Sequence, residues 1–210
     1  YKNIGDKLYK MADIVKINNP QDMYSSLISF WSNTEEVVLN SSEPMSIPRD
    51  YDNWIGSLDD RENMMFLDTI SYLPDDILTK VDRSSMAVSL ESRAPFLNHS
   101  VIELSQRVPI EMKIKNGQGK WILRNILNDF IPSNLIDRPK TGFGIPIAEW
   151  LRGPLKEWAE SLIDSSRLKD DGYFNPALIT DMWKKHISKN RNYGHHLWSI
   201  LMFQAWLERK

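Results

Sequence analysis

The 210-residue sequence contains no cysteine. Disulfides, thiolate metal sites and a cysteine nucleophile are thereby excluded within it. Histidine is scarce too, at four residues. Two of them, His195 and His196, are adjacent, so a helix would point them to different faces and they could not grip one ion together. No further His or carboxylate stands at helical ligand spacing from that pair, and packed or solvated histidines are expected in place of a metal site. No apolar run approaches the roughly 18 residues of a spanning helix, which argues against a membrane partner. Excess charge is missing as well: 26 Lys and Arg face 28 Asp and Glu, for a net charge of -2. With a pI near 6.1 there is no global field to draw nucleic acid, and Lys184, Lys185, Lys189 and Arg191 read as a solvated face. Repeats, long heptads and low-complexity tracts do not occur. The first residue is Tyr1, with no start methionine or signal peptide, so the chain is expected to be a piece of a longer one.

What is present suits a soluble globular chain, with 41% hydrophobic and 26% charged residues. The eight tryptophans predict a well-filled aromatic core, with Trp121, Trp150, Trp158, Trp183, Trp198 and Trp206 at helical core spacing. No convincing alternating pattern marks a strand, so the fold class is mostly α. Ile4, Leu8, Met11 and Val15 space out a first helix, which Asn18-Asn19-Pro20 ends. Pro20 opens the next, whose buried edge would be Met23, Leu27, Phe30 and Trp31. Residues 32–57 form a long irregular connection, and Met64, Met65, Leu67 and Ile70 suggest a third helix. Asn98 could cap a helix through Val108, and Asn116-Gly117 marks a turn. Trp121, Leu123, Ile126, Leu127 and Phe130 would bury a further helix that Pro132 closes. Short helices follow on either side of Gly153-Pro154. Asn175-Pro176 starts another, and the last, from His195 to Leu207, is apolar nearly all round and should be buried.

Two stretches carry more than packing. In the first, Pro74-Asp75-Asp76 is a strong helix start, with carboxylates at the positive end of the dipole. Ile77, Val81 and Val88 would make a buried stripe, and a continuous helix would put Lys80, Arg83 and Glu91 on one side. Ala94 precedes Pro95 and is pushed out of helical geometry, so the helix must end near Ser89 to Ser92. Glu91 and Arg93 then sit at a helix-to-loop junction, where charges can face a cleft. Spacing alone favours an amphipathic helix with a solvated charged face. The second stretch, Asp137-Arg-Pro-Lys-Thr-Gly-Phe-Gly-Ile-Pro146, is a shaped loop around Lys140 and Thr141. Its glycines allow close backbone approach to a ligand, and a positioned ammonium suits phosphate, although most such loops are ordinary surface turns.

The run Asp82-Arg-Ser-Ser-Met-Ala-Val-Ser-Leu-Glu-Ser-Arg-Ala-Pro-Phe-Leu97 resembles the hallmark segment of the glutamine-hydrolysing asparagine synthetase family. The loop resembles that family's second hallmark, Arg-Pro-Lys-x-Gly-Phe-x-x-Pro, in the right order and at matching distance. The resemblance covers nearly all of residues 1–210 and implies the C-terminal helical portion of a PP-loop (adenine-nucleotide α-hydrolase-like) synthetase domain, without its parallel-sheet half. In that family a glutaminase domain releases ammonia from glutamine. The synthetase domain, with ATP and Mg2+, activates the side-chain carboxylate of aspartate as an acyl-adenylate, and ammonia displaces AMP.

By the resemblance, Lys140 would hold charge that gathers on phosphate, and Glu91 would position groups or move a proton near the amide-forming centre. Arg83, Thr141 and Gly142 would help grip nucleotide or substrate, and Arg93 would bind a carboxylate with its planar fork. The pyrophosphate-cradling Ser-Gly-Gly-x-Asp-Ser loop, its acidic Mg2+ partners and the N-terminal Cys do not occur in this sequence, so the chain by itself is expected to be inactive. Asn98 stands where the family usually has Asp. The resemblance implies a cytoplasmic enzyme and leaves a homodimer of the full-length protein open. Two other readings compete. One is a relative that adenylates another carboxylate, such as a β-lactam or peptide-cyclising synthetase, and the other is a non-catalytic helical interaction module.

Overall fold

A computed structural model describes residues 11, 12, 14–137 and 144–210. They are mostly helical, as expected. The first half holds α1 (Pro20–Ile28), α2 (Asp60–Ile70), α3 (Thr79–Met86), α4 (His99–Arg107), α5 (Ile110–Lys113), α6 (Trp121–Asn128) and α7 (Ser133–Ile136). Then come α8 (Ile147–Arg152), α9 (Lys156–Leu162), α10 (Ser165–Asp171), α11 (Pro176–Ile187) and α12 (Gly194–Leu207). Two antiparallel strands of two residues each, β1 (Ile114–Lys115) and β2 (Gln118–Gly119), flank the Asn116-Gly117 turn. Both turn residues have positive φ, +52° and +74°, which Asn and Gly tolerate best. The chain divides into two compact units, Tyr1–Trp54 with Gly144–Lys210, and Ile55–Phe143.

The first unit has a closed apolar core. Leu151, Leu168, Ile179, Leu197 and Leu201 are fully buried, each contributing about 1.5–3 kcal/mol by leaving water. The apolar character of α12 on almost every side explains its place in that core, as its sequence requires. At its N-terminus Gly194 lets it approach α8: a Cβ there would meet the Cα of Ala148 at 3.3 Å. Residues 34–39 lie along this core as a strap, through an antiparallel bridge between Val38 and Phe174. Leu39 N–H donates to the Tyr173 carbonyl (2.8 Å) and Asn175 N–H to that of Val37 (2.9 Å). The Asn175 side chain caps α11, as its place before Pro176 implies, and its amide also donates to the Glu36 carbonyl (3.3 Å). Residues 32–57 are irregular as expected, apart from one-turn 3-10 helices at Ile47–Arg49 and Tyr51–Asn53. Of the expected buried edge of α1, Leu27 (43%) and Phe30 (64%) are exposed, and Tyr24 is the buried residue. Ile4 and Leu8 of the first expected helix lie outside the described residues.

In the second unit, α2 begins with a reciprocal capping box between Asp59 and Glu62. The buried Asn63 accepts from the Ile55 amide (2.7 Å) and donates to the Ile55 carbonyl (3.1 Å), fastening the entry segment to the helix. Pro74 has no N–H to give, and the backbone widens there into a π-helix over Leu73–Leu78. The Thr79 hydroxyl closes it by donating to the Pro74 carbonyl (2.9 Å), and α3 follows without a break. Asn98 caps α4 as expected.

Here the burial expectations fail. Val81 (45%) and Val88 (75%) of the expected stripe are exposed, as are Leu123, Ile126, Leu127 and Phe130 of the helix expected to be buried. Among the described residues of this unit, the fully buried side chains are Asn63 and Leu67. The hydrophobic pattern gives the side of each helix that wants cover. The described residues do not supply that cover.

Candidate functional site

Arg83 projects from the last turn of α3 and, among the described residues, has no side-chain partner. The helix ends at Met86, before Glu91 is reached, so helical spacing does not align Lys80, Arg83 and Glu91. Lys80 instead pairs with Asp76 one turn back (2.5 Å). Beyond Met86 the chain reverses in a hydrogen-bonded turn. Ser89 takes a φ of +58°, and the Leu90 amide donates back to the Ser85 carbonyl (3.0 Å). That turn ends the helix three or more residues earlier than the Ala94-Pro95 step requires. It delivers Glu91 and Arg93 onto an extended segment that a 3-10 turn at Pro95–Leu97 closes. There the Arg93 guanidinium contacts the Glu91 carboxylate at 2.9 Å. Both side chains face solvent, 82% and 68% exposed respectively. Such an open pair is weak, about 0–1 kcal/mol, so each member is free to exchange its partner for a ligand.

Lys140, Thr141 and Gly142 lie outside the described residues. At the edge of their loop, Asp137 is held by Arg124 of α6 (2.5 Å), and the same guanidinium donates to the Gly119 carbonyl (3.3 Å). The loop's first residue is therefore anchored on the second unit.

Among the described residues no group of three or more His, Asp or Glu could hold a metal ion, so those residues offer Mg2+ no cradle. Arg83, without a side-chain partner among the described residues, is a permanently charged planar fork of the kind that suits an anion. No helix of the described residues is long and apolar enough to cross a membrane.

Two features of the first unit escaped sequence reasoning. His186 of α11 is fully buried, its Nδ1 accepts from the Tyr193 amide (3.2 Å), and burial pushes its pKa down to about 4. The nearby Arg152 guanidinium adds to that shift. His196 is also lowered, mainly by burial, and packs edge-on against Trp31 (4.8 Å between centroids). The second feature is a cleft of about 440 Å³ lined by Ser25, Ser29, Trp31, Arg49 and Tyr51. Its charged groups are occupied, Arg49 by Glu43 (3.0 Å) and Asp22 by the Tyr51 hydroxyl, so it offers a ligand no free charge. None of the candidate site residues named from the sequence lines it.

The family model described as asparagine synthase matches residues 2–208, a span that includes both hallmark segments. An asparagine synthetase [glutamine-hydrolyzing] 1 of Bacillus subtilis is 32% identical over 150 residues, 71% of this chain and 23% of that protein. A putative asparagine synthetase [glutamine-hydrolyzing] of Mycobacterium tuberculosis is 37% identical over 145 residues, 68% of this chain and 22% of its own length. The amidase chyE of Penicillium rubens is 28% identical over 136 residues, 61% of this chain and 20% of the relative. The matched part thus spans under a quarter of each of these relatives. No solved structure matches the chain.

Proposed function

The chain belongs to the asparagine synthase family, and from that premise we propose that it is the C-terminal helical part of a longer ATP-dependent amide-forming enzyme. The single observation that carries this reading is the match over residues 2–208, which takes in the Arg83–Arg93 segment and the Lys140 loop together. The reaction proposed for the whole protein is asparagine synthesis. An oxygen of the aspartate side-chain carboxylate bonds to the α-phosphorus of ATP as the bond to pyrophosphate breaks. The lone pair of glutamine-derived ammonia then forms the C–N bond as AMP leaves, and the nitrogen sheds a proton.

In this reading Lys140 and Arg83 lie where negative charge collects on the phosphate oxygens, which suits permanent cations. Thr141 and Gly142 let the backbone of the same loop approach the ligand. Arg93 releases Glu91 to take a substrate carboxylate in its fork, leaving Glu91 to accept the proton shed by the attacking nitrogen. Mg2+, in this reading, would be held by the remainder of the enzyme. The 210 residues alone supply one wall of a site and are expected to be inactive. A cytoplasmic location belongs to the same reading, and sedimentation of the full-length enzyme decides whether it is a homodimer.

The test is Lys140→Ala in the full-length parent, followed by AMP and pyrophosphate release with aspartate, ATP and ammonia. Loss of a positioned cation at the developing charge should lower turnover by about 100-fold or more. Unchanged turnover would overturn the catalytic reading in favour of a helical interaction module. A second reading draws on the similarity to a protein named an amidase. The same machinery would act on a different carboxylate, and the parent would then form AMP with that acid and not with aspartate.

A further inference from the structure

Arg124 of α6 joins three pieces of the second unit. Its Nη1 meets the Asp137 carboxylate (2.5 Å) and its Nε donates to the Gly119 carbonyl of β2 (3.3 Å). A planar fork reaches two acceptors on different segments at once, which a single ammonium does not. The hairpin also lies against the start of the same helix, with the Lys115 ammonium 4.3 Å from the centre of the Trp121 ring. Asp137 is pinned a second time, because its amide donates to the Ser133 carbonyl (2.8 Å) at the end of α7. Its backbone and its side chain are thus both held. Stability gains little from this: the Arg124 and Asp137 side chains are 28% and 56% exposed, and open pairs contribute little to folding. What the bonds fix is the direction in which the chain leaves α7.

We propose that Arg124 is a positioning residue for the reaction of the full-length enzyme, acting through Asp137 on Lys140. The inference rests on the reading above that Lys140 holds charge gathering on phosphate. In the sequence, Arg138 and Pro139 alone separate Asp137 from Lys140. Proline fixes its own φ and restricts the residue before it, so such a pair has fewer backbone conformations open to it than most. A rotation of the backbone at Asp137 is therefore carried to the lysine more than it is absorbed on the way. The chemistry is sensitive to that, since a group misplaced by about 1 Å can cost about 100-fold in rate. Arg124 itself touches no reacting atom in this role.

The experiment follows AMP release from aspartate, ATP and ammonia by the full-length parent carrying Arg124→Met, Asp137→Asn or both. Each single substitution should lower kcat about 10- to 100-fold while KM for ATP and for aspartate stays within about 2-fold. The double variant should be no slower than the slower single, because the two side chains act as one unit. Arg124→Lys reaches one acceptor and gives up the other, so its kcat should fall between those of wild type and Arg124→Met. Thermal midpoints within about 2 °C of wild type would separate this role from a merely structural one. Where Arg124→Met fails to fold, Asp137→Asn carries the same test, since it leaves the bond from Arg124 to Gly119 in place. The decisive comparison is Arg124→Met made on top of Lys140→Ala, which should slow the residual turnover no further. Unchanged kcat in Arg124→Met, or losses that multiply with those of Asp137→Asn or Lys140→Ala, would overturn the proposal. The two readings fail separately: Lys140→Ala without effect removes the catalytic reading, whereas a severe Lys140→Ala loss beside a fully active Arg124→Met removes the positioning role alone.

Discussion

His186 is a titratable group without water, and its consequence for stability has a definite sign. Its pKa falls from an ordinary 6.5 to about 4 in the folded chain, first through burial and then through the charge of Arg152, against which Glu149 and the Ala148 carbonyl act weakly. The unfolded state therefore binds more protons between those two values. Stability from this group is fully present above pH 6.5, declines as pH falls and is gone below about 4. Urea unfolding of the wild type and of His186→Gln checks it. Between pH 7 and 4.5 the wild type should lose about 1–3 kcal/mol more than the variant, and parallel losses would refute the assignment. His186 could have been found in the sequence, since it follows Ile179, Met182 and Trp183 by seven, four and three positions and so shares their buried stripe. Gln204 stands in the same relation to Leu197, Ile200 and Leu201. It is also fully buried, donating to the Leu162 carbonyl (3.3 Å) and the Asp171 carboxylate (2.9 Å). Spacing and the helix-to-loop junction single out Arg83, Glu91 and Arg93, but the roles proposed for them come from the resemblance, because exposed charges leave no trace of function in periodicity.

Among the elements, boundaries set by local chemistry were readable and those set by backbone compromise were not. Asn98 and Asn175 announce α4 and α11 because a cap is a bond between near neighbours. The π-turn at Leu73–Leu78 and the stop at Met86 depend on which carbonyl each amide reaches, and several sequences would satisfy either outcome. Crossing distance is likewise hidden until two helices meet. Gly194, the first residue of α12, faces α8 with no room to spare: a Cβ would lie 3.1 Å from the Asn192 Oδ1 and 3.3 Å from both Cα and Cβ of Ala148. The Asn side chain can turn away, but a helix backbone cannot. Gly194→Val should therefore destabilise the first unit by about 1–3 kcal/mol, read as a lower urea midpoint with the slope unchanged. A midpoint equal to wild type would mean that α8 and α12 do not meet at this distance.

For the whole molecule, hydrophobic pattern gives orientation but assumes that a partner lies within the same chain. That assumption holds for α12, where Leu197 and Leu201 are sealed, and fails for α6, where Ile126 (53%) and Phe130 (79%) remain in water. The two helices should then differ in how readily their amides open, because opening free energy tracks buried apolar contact and not helix propensity. Hydrogen exchange of the 210-residue chain tests this directly. Amides in the interior of α12 should exchange only through the largest openings of the first unit, with protection of several kcal/mol, about 3 or more. Those of α6 should exchange at least 100-fold faster, through local openings. Equal protection in α6 and α12 would mean that α6 finds apolar cover within the 210 residues.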